Sequence, residues 1–221
     1  MMDASLDTDI VIHLYKSDKG DLLFSSFDKL YIHEFLLEEE MKKKSGTVYK
    51  EFLLDVEKGK VEVIRNKDLV HMGIKGLFED YKTKYYYLFD NGELHAVALA
   101  KAMGIVAFTS DDTKDFGPHE TLVKEIIEDV IPFAFYELLF LKFLASEITI
   151  DVMYENFEEI NSASMSERPM NFRSRMLSTV RRFTKRYGTE RDLNWINSFC
   201  TEKNVNLSDK MKELRSFLDA L

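Results

Sequence analysis

The sequence predicts an α/β fold with a central parallel sheet, followed by an all-helical C-terminal extension. Over the first two thirds of the chain, apolar runs that fit short strands alternate with helical patterns, and this alternation is typical of βαβ units. In the remainder, the apolar residues recur at helical spacing. We therefore expect an α/β domain over residues 1–148 and a helical extension over residues 149–221.

Strands are expected where short apolar runs are bounded by turn residues. They cover residues 30–33, 60–65, 105–108 and 131–136, and residues 2–6 fit a short first strand. Helices are expected over residues 34–44, 48–57, 66–81, 90–104 and 118–130, and in the extension over residues 138–145, 150–160, 172–187, 191–200 and 207–218. Asn66 and Asp90 are good N-cap residues, and Gly104 suits the end of a helix.

The composition limits the classes of function. Apolar residues make up 45% of the chain and charged residues 31%, with three prolines, which is the profile of a folded globular protein. The single cysteine, Cys200, excludes a disulfide framework or a cysteine-based zinc site within one chain. A reducing, cytoplasmic setting fits this cysteine usage best.

No segment has the pattern of a targeting or membrane sequence. The chain does not open with a basic region followed by an apolar run, so we expect no signal peptide. The longest apolar run, residues 130–145, is interrupted by Pro132, Glu137 and Lys142 and is shorter than the roughly 20 apolar residues that span a bilayer. We expect a soluble protein with no membrane partner.

Acidic clusters mark the two ends of one predicted helix and strand pair. Asp90 and Glu93 stand at the start of the helix, and Asp111 and Asp112 follow the strand. Where the chain folds back so that these ends meet, carboxylates gather in one cleft, and such a cleft is costly unless a cation occupies it. Carboxylate oxygens suit hard ions such as Mg²⁺ or Mn²⁺. The stretch therefore predicts a divalent metal site.

Two further acidic positions extend this set. Asp7 lies near the start of the chain, and Glu39 lies on the helix predicted after the strand at residues 30–33. Ligands of open α/β sheets bind outside the carboxyl ends of the strands. Asp111 lies at such an end, while Glu39 and Glu93 lie on flanking helices. We expect these four carboxylates to meet there.

The motifs that carry these residues resemble those of the PIN-domain nucleases. The strings LDTDIVIHL, IHEFLLEEE, GELHAVALA and AFTSDD occur in the order of that family's acidic motifs, over about residues 6–136. The resemblance implies a three-layer α/β/α domain with Asp7, Glu39, Glu93 and Asp111 as metal ligands and catalytic residues. It also implies metal-dependent hydrolysis of a phosphodiester, usually in RNA, by a water that Mg²⁺ or Mn²⁺ activates.

Some neighbouring residues are candidates for supporting roles. Thr8 and Thr109 are placed to orient the carboxylates through hydrogen bonds. Asp9 stands where the family has a polar Asn, and it is a further candidate to bind metal or water.

Other acidic residues are alternatives or neighbours. Glu38 is the substitute for Glu39, because the segment contains consecutive glutamates. Asp90 and Glu93 also form the pattern of a capping box, so Asp90 is interpreted as a helix cap and Asp112 as a neighbour of the site.

A basic segment follows the acidic body of the chain. The net charge is −9, but residues 168–191 carry eight basic residues and one acidic residue. One interpretation is a surface that grips the phosphate backbone of RNA, and the other is pairing with acidic surface or with a protein partner. The cations of the predicted helix and its end are Arg173, Arg175, Arg181, Arg182, Lys185 and Arg186.

Two functions follow from these patterns. The first is a cytoplasmic metal-dependent endoribonuclease, and the family includes toxins of toxin-antitoxin pairs, so a protein inhibitor or a homodimer is among the implied partners. The second is a non-catalytic PIN-like module whose helical extension engages nucleic acid or a protein. A receiver-like phospho-acceptor domain also gathers aspartates at strand ends, but no paired acids precede an apolar first strand here.

Overall fold

A parallel sheet organises the N-terminal part of the chain. The structure is a computed structural model, and it describes residues 2–111, 129–164 and 169–221. Within these residues the strands are Ala4–Leu6 (β1), Leu30–His33 (β2), Val61–Ile64 (β3), Ala107–Thr109 (β4) and Ile131–Phe133 (β5). They stand in the order β3-β2-β1-β4-β5, and each neighbouring pair is parallel. The α/β class and the central parallel sheet that the sequence predicts are confirmed.

The strands are short and mostly buried. Four of them, β1, β2, β4 and β5, are buried along their whole length. Such burial is typical of strands that are covered on both faces of the sheet. β3 lies at one edge and exposes Glu62. Pro132 lies in β5 at the other edge, where a residue without an N–H is tolerated because an edge strand has an unpaired side.

Helices fill the connections from β1 to β2, from β2 to β3 and from β3 to β4. In this part of the described chain they are Thr8–Lys16 (α1), Asp21–Ser26 (α2), Lys42–Lys44 (α3), Gly46–Glu57 (α4), Asn66–His71 (α5), Lys75–Tyr85 (α6) and Asn91–Met103 (α7). The chain moves from β1 to β2 and β3 on one side and returns to β4 and β5 on the other side. Since crossovers between parallel strands are right-handed, this order is consistent with helices on both faces and a three-layer arrangement.

A π-helical turn interrupts the helix that follows β2. The turn covers Leu36–Met41 and runs directly into α3. Its apolar residues Leu36, Leu37 and Met41 are buried. A π-helix closes i→i+5 hydrogen bonds, so each turn uses more residues than an α-helical turn, and such turns are frequent at functional sites.

Some predicted elements differ from the structure, and one lies mostly outside the described residues. The helix expected over residues 66–81 is two helices, because Gly73 has a φ of +73°, a left-handed conformation that ends α5. The strand expected over residues 131–136 is shorter, because a helix begins at Phe135. The helix expected over residues 118–130 falls mostly on residues 112–128, outside the part that the structure describes.

The chain divides into two compact units, residues 1–135 and 136–221. The helices of the second part are Phe135–Leu144 (α8), Ile150–Ser164 (α9), Phe172–Arg182 (α10), Glu190–Glu202 (α11) and Leu207–Ala220 (α12) among the described residues. The division expected from the sequence falls at residue 148. The boundary lies earlier in the structure because α8 belongs almost entirely to the second unit. Glu137 on this helix pairs with Arg182 on α10.

Aromatic and apolar side chains form the interior of the helical unit. Phe172 contacts the rings of Tyr154, Phe157 and Phe217, with ring centroids 5.0, 5.1 and 6.3 Å apart. These edge-on contacts join α9, α10 and α12, and aromatic pairs of this kind add to the stabilisation from buried area. Over the residues with a described structure, no helix is long and apolar enough to cross a membrane.

Candidate functional site

The order in which the chain adds strands to the sheet reverses at β1. β2 and β3 lie on one side of this strand, and β4 and β5 lie on the other. In doubly wound sheets, ligands bind outside the carboxyl ends of the strands at such a switch point. The residues that follow β1 and β4 are Asp7 and Ser110. An acidic cluster, formed by Asp7, Glu40 and Glu93, lies around these two residues.

Asp7 is buried at the start of α1, where it is the N-cap residue. Its Oδ1 accepts a hydrogen bond from the backbone N–H of Thr8 at 2.7 Å. Its Oδ2 accepts a hydrogen bond from the hydroxyl of Ser110 at 3.1 Å. Its own backbone N–H donates to the carbonyl oxygen of Thr109 at 3.0 Å. These bonds hold the Asp7 carboxyl between the ends of β1 and β4.

The surroundings of Asp7 disfavour its charged form. Burial is the largest cause that raises the pKa of this carboxyl well above its ordinary value, and the charges of Asp9, Glu93 and Glu40 raise the pKa further. Positive charge close to a carboxylate has the opposite effect, because it favours the ionised form. The region around Asp7 is therefore suited to a cation.

Helix α7 brings Glu93 to the same place. Asp90 is the N-cap of this helix, and its side chain accepts a hydrogen bond from the backbone N–H of Glu93 at 3.0 Å. The buried Oε1 of Glu93 lies 3.3 Å from the hydroxyl of Ser110. The Ser110 hydroxyl thus lies between the carboxylates of Asp7 and Glu93, and it has one proton to donate.

The π-helical turn brings Glu40 to this cluster. Oε1 of Glu40 accepts a hydrogen bond from the hydroxyl of Thr8 at 2.8 Å. A Cβ atom on Gly92 would lie 2.7 and 2.8 Å from the two Glu40 oxygens and 3.0 Å from Oδ1 of Asp7. A side chain at Gly92 would therefore displace the Glu40 carboxylate from its present position. Oε2 of Glu40 is buried and has no hydrogen-bond partner in the described part of the chain.

The structure places Glu39 and Glu38 outside this cluster, which corrects the expectation that Glu39 joins Asp7. The Glu39 side chain is 58% exposed and pairs with Lys43 at 2.9 Å. Glu38 accepts a hydrogen bond from the hydroxyl of Tyr49 at 2.8 Å. The reason is the π-helical turn, which contains one more residue than an α-helical turn. The residue that faces the cluster therefore comes one position later in the sequence than α-helical spacing from β2 predicts.

The ammonium group of Lys44 lies within the acidic cluster. Its Nζ is 2.6 Å from Oε1 of Glu40, 2.6 Å from Oδ1 of Asp9 and 3.4 Å from the hydroxyl of Thr8. Burial lowers the pKa of Lys44, but the hydrogen bonds and charges of Asp9 and Glu40 outweigh burial and raise it. The sequence signal for this contact is the i,i+4 spacing of Glu40 and Lys44.

Asp111 lies at the end of β4, and both of its oxygens are engaged. Oδ1 accepts a hydrogen bond from the backbone N–H of Phe135 at 2.8 Å. Oδ2 lies 3.2 Å from Nδ1 of His13 on α1. Asp111 is almost fully buried. Its side chain therefore joins α1 to the backbone of Phe135, a role that the sequence does not predict.

The remaining predicted residues have different placements. Thr8 contacts the carboxylates of Asp7 and Glu40. The buried hydroxyl of Thr109 has no hydrogen-bond partner among the described residues, so Ser110 makes the contacts that were expected of Thr109. Asp112 lies outside the described residues.

The donor atoms of the cluster suit a hard divalent ion. Within the described residues, no group of at least three His, Cys, Asp or Glu side chains is arranged to hold a metal ion. The atoms that Asp7, Glu40, Glu93 and the hydroxyl groups present are all oxygen, however, which Mg²⁺ and Mn²⁺ prefer. The buried, unpartnered Oε2 of Glu40 is one such donor.

Arg182 is buried and paired, so it does not belong to the exposed basic surface that was expected to contact RNA. Its NH1 group lies 2.8 Å from Oε1 of Glu137, and its Nε lies 2.6 Å from Oδ2 of Asp192. Burial lowers the pKa of Arg182, but Glu137 and Asp192 outweigh burial and raise it. The charged guanidinium of Arg182 therefore pairs with carboxylates inside the helical unit.

The other cations of the basic segment fall into two groups. Arg173 pairs with Asp219 at 3.3 Å, and the guanidinium of Arg175 lies 5.6 Å from the ring centroid of Tyr136. Arg173 is nevertheless exposed, as are Arg181, Lys185 and Arg186. In the described part of the segment, Arg181, Lys185 and Arg186 are thus the exposed cations outside the Arg173–Asp219 pair.

The fold and the site together define an α/β protein of the doubly wound kind with a carboxylate cluster at its switch point. Comparison of the chain with protein-family models, curated proteins and solved structures finds no significant match. The carboxylate cluster is therefore the feature of this chain that indicates a function.

Proposed function

We propose that this chain is a metal-dependent endoribonuclease with a PIN-like domain. The observation that carries the proposal is the convergence of Asp7, Glu40 and Glu93 at the carboxyl ends of β1 and β4. Like-charged carboxylates in one crevice raise one another's pKa, and positive charge in the crevice offsets their repulsion. A divalent cation is the ligand that this arrangement favours.

The PIN-like assignment is supported by the order in which the acidic residues occur. Asp7 follows β1, Glu40 lies on the helical segment after β2, Glu93 opens the helix before β4, and Asp111 follows β4. This is the order of the acidic motifs in the family that the sequence resembles, with Glu40 in place of Glu39. The parallel sheet is compatible with the three-layer domain that the resemblance implies.

Some residues of the cluster would bind the metal ion, and others position the residues that bind it. A Mg²⁺ or Mn²⁺ ion held by Asp7, Glu40 and Glu93 would supply the positive charge that activates water and stabilises the phosphate under attack. The hydroxyl of Ser110 lies between Asp7 and Glu93 and can donate its proton to either of them, and the hydroxyl of Thr8 orients Glu40. Asp111 is a positioning residue, since its oxygens hold His13 and the backbone of Phe135.

RNA is the substrate that we propose. The exposed Arg181, Lys185 and Arg186 suit the phosphate backbone, and binding through them would weaken with increasing salt because bound counterions are released. The buried free thiol of Cys200 is compatible with a cytoplasmic setting.

The test combines metal binding with cleavage. We expect Mn²⁺ to raise the Tm of the wild-type protein, because a ligand that binds only the folded state stabilises it. Glu40→Gln and Glu93→Gln are expected to abolish this shift and to lower the rate of RNA cleavage by about 100-fold or more. Single-stranded DNA of the same sequence, assayed in parallel, decides between the two nucleic acids.

Glu39→Gln is the matched control. It makes the same chemical change one residue away, but its carboxylate is exposed and paired with Lys43. We expect the Mn²⁺ shift and the cleavage rate of this variant to equal those of the wild type. Undiminished cleavage by both Glu40→Gln and Glu93→Gln would contradict the proposal.

A second function is favoured by the position of Lys44. Its ammonium already pairs with Glu40 and Asp9, so the cluster contains a cation without any metal. This arrangement suits a non-catalytic module that engages nucleic acid or a protein partner through its helical unit. Such a module would retain RNA without cleaving it and would show no Tm shift with Mn²⁺. Its RNA binding would fall in an Arg181→Ala, Lys185→Ala double variant.

A further inference from the structure

We propose that the ammonium group of Lys44 is a resident counter-ion of the acidic cluster and must leave before a divalent cation binds. The inference rests on the proposed function, because it concerns the same carboxylates. It adds a regulatory element that neither the fold nor the motifs require. Lys44 would set the metal concentration at which the site fills.

The contacts of Lys44 coincide with the atoms that a metal would use. Its Nζ lies 2.6 Å from Oε1 of Glu40, which also accepts the hydrogen bond of Thr8. A divalent ion on the same oxygen, at roughly 2.1 Å, would lie within a few ångströms of the ammonium charge. Two cations at that separation repel each other strongly in a partly buried crevice, so the ion and the ammonium cannot share this oxygen.

The structure also gives Lys44 a way out of the cluster. Its side chain is 39% exposed, and a lysine charge is carried on a flexible four-carbon stem. Lys44 is the last residue of α3, and the chain continues as extended backbone at Ser45. The departing ammonium can therefore be hydrated without unfolding a helix.

One oxygen of the Glu40 carboxylate is not in contact with Lys44 and is available to an incoming cation. Lys44 and Thr8 contact Oε1, whereas Oε2 is buried and has no hydrogen-bond partner among the described residues. A buried carboxylate oxygen without a partner is costly, and a cation that binds both oxygens of Glu40 would remove this cost and take Oε1 from Lys44. Glu40 is thus the residue at which one positive charge replaces the other.

Lys43 provides a comparison within the same segment. It pairs with Glu39 at the same i,i+4 spacing, with an Nζ to Oε2 distance of 2.9 Å. Both side chains of that pair are mostly exposed, so the pair is expected to have little influence on stability or binding. The two lysines differ mainly in whether their glutamate belongs to the cluster.

The test is calorimetric titration of the full chain with Mn²⁺. We expect Lys44→Met to bind Mn²⁺ about fivefold more tightly than the wild type, which corresponds to one partly exposed ion pair. In the absence of metal, the same variant should have a lower Tm, because the carboxylates lose their counter-ion. Lys43→Met should match the wild type in both measurements.

The outcomes separate this inference from the proposed function. Equal or weaker Mn²⁺ binding by Lys44→Met, together with loss of binding in Glu40→Gln, would overturn the displacement of Lys44 and leave the metal site standing. Absence of Mn²⁺ binding in both the wild type and Lys44→Met would overturn both proposals. Lys44→Gln, which retains a hydrogen-bonding side chain without the charge, replaces Lys44→Met if that variant does not fold.

Discussion

Nδ1 of His13 lies 3.2 Å from Oδ2 of Asp111, and this contact joins helix α1 to the end of β4. The other oxygen of Asp111 accepts the backbone hydrogen bond of Phe135. The carboxylate is thereby fixed on both sides. Substitutions of Asp111 will consequently affect the fold as well as any chemistry at this end of the sheet.

Asp111→Ala should destabilise the protein more than Asp111→Asn. We expect the alanine variant to lose about 2 kcal/mol of unfolding free energy, because the buried N–H of Phe135 would lack its acceptor. Asparagine retains an oxygen for this N–H, so its loss should be about half as large. Urea denaturation measures both values. Equal losses would contradict a structural role for the hydrogen bond to Phe135.

Gly92→Ala should impair the site with little effect on the fold. The added Cβ would lie 2.7 Å from a Glu40 oxygen, and this oxygen is at the end of a flexible side chain that can move away. Alanine is also the better helix former by about 1 kcal/mol. We expect Mn²⁺ affinity to fall at least about tenfold while the Tm stays within a few degrees of the wild type.

Gly76→Ala is the control for that substitution. Gly76 lies in α6, and a Cβ at this position would meet no atom within 4 Å. We expect a modest increase in Tm and unchanged Mn²⁺ affinity. If Gly92→Ala also left Mn²⁺ affinity unchanged, Glu40 could not be a ligand in the position described above.

Arg182→Met should strongly destabilise the helical unit. The substitution leaves the buried carboxylates of Glu137 and Asp192 without the guanidinium that lies between them. Breaking a buried ion pair by removing one partner costs about 3–5 kcal/mol. Arg181→Met, at the exposed neighbouring position, should change stability by less than about 0.5 kcal/mol. Similar losses in both variants, measured by thermal or urea denaturation, would contradict this assignment.

His33 should make stability depend on pH in the acidic range. Its buried ring stacks on Phe78 with centroids 4.9 Å apart, and its Nδ1 accepts a hydrogen bond from the backbone N–H of Phe35. Burial, with a further contribution from the charge of His95, lowers the pKa of His33 to about 3. Between this value and the ordinary histidine pKa, the unfolded chain binds a proton that the folded chain does not.

Stability should therefore fall as the pH drops below about 6.5. One such histidine contributes a slope of up to about 1.4 kcal/mol per pH unit. We expect the unfolding free energy of His33→Phe to decline less steeply than that of the wild type between pH 6.5 and pH 4, as urea denaturation at several pH values would measure. The raised pKa of Asp7 acts in the opposite direction, but it is common to both proteins. Parallel pH profiles would contradict a buried, neutral His33.

Features that depend on local chemistry could be predicted from the sequence. The cap at Asp90 follows from its side chain and the residues after it, and the end of α7 follows from Gly104, whose φ is +70°. The parallel sheet follows from the alternation of apolar runs and helical patterns. The break in the predicted helix over residues 66–81 could also have been inferred, because Gly73 is a residue that commonly ends helices.

Features that depend on distant residues could not be predicted. Whether Arg182 faces solvent or the interior is decided by Glu137, which lies on another helix far away in the sequence. The choice between Glu39 and Glu40 is decided by the π-helical turn, for which the sequence contains no specific cap or breaker. The contact of His13 with Asp111 requires β1 and β4 to be neighbours, and only the order of the strands determines this.

The π-helical turn Leu36–Met41 lies on a repeated charge pattern. Each of Glu38, Glu39 and Glu40 precedes a lysine by four residues. If the turn relaxed to a regular α-helix, Glu39 and Lys43 would move to the place that Glu40 and Lys44 now occupy. The segment is thus redundant in register: a slip of one residue would exchange the side chains at the end of the sheet and preserve their charges.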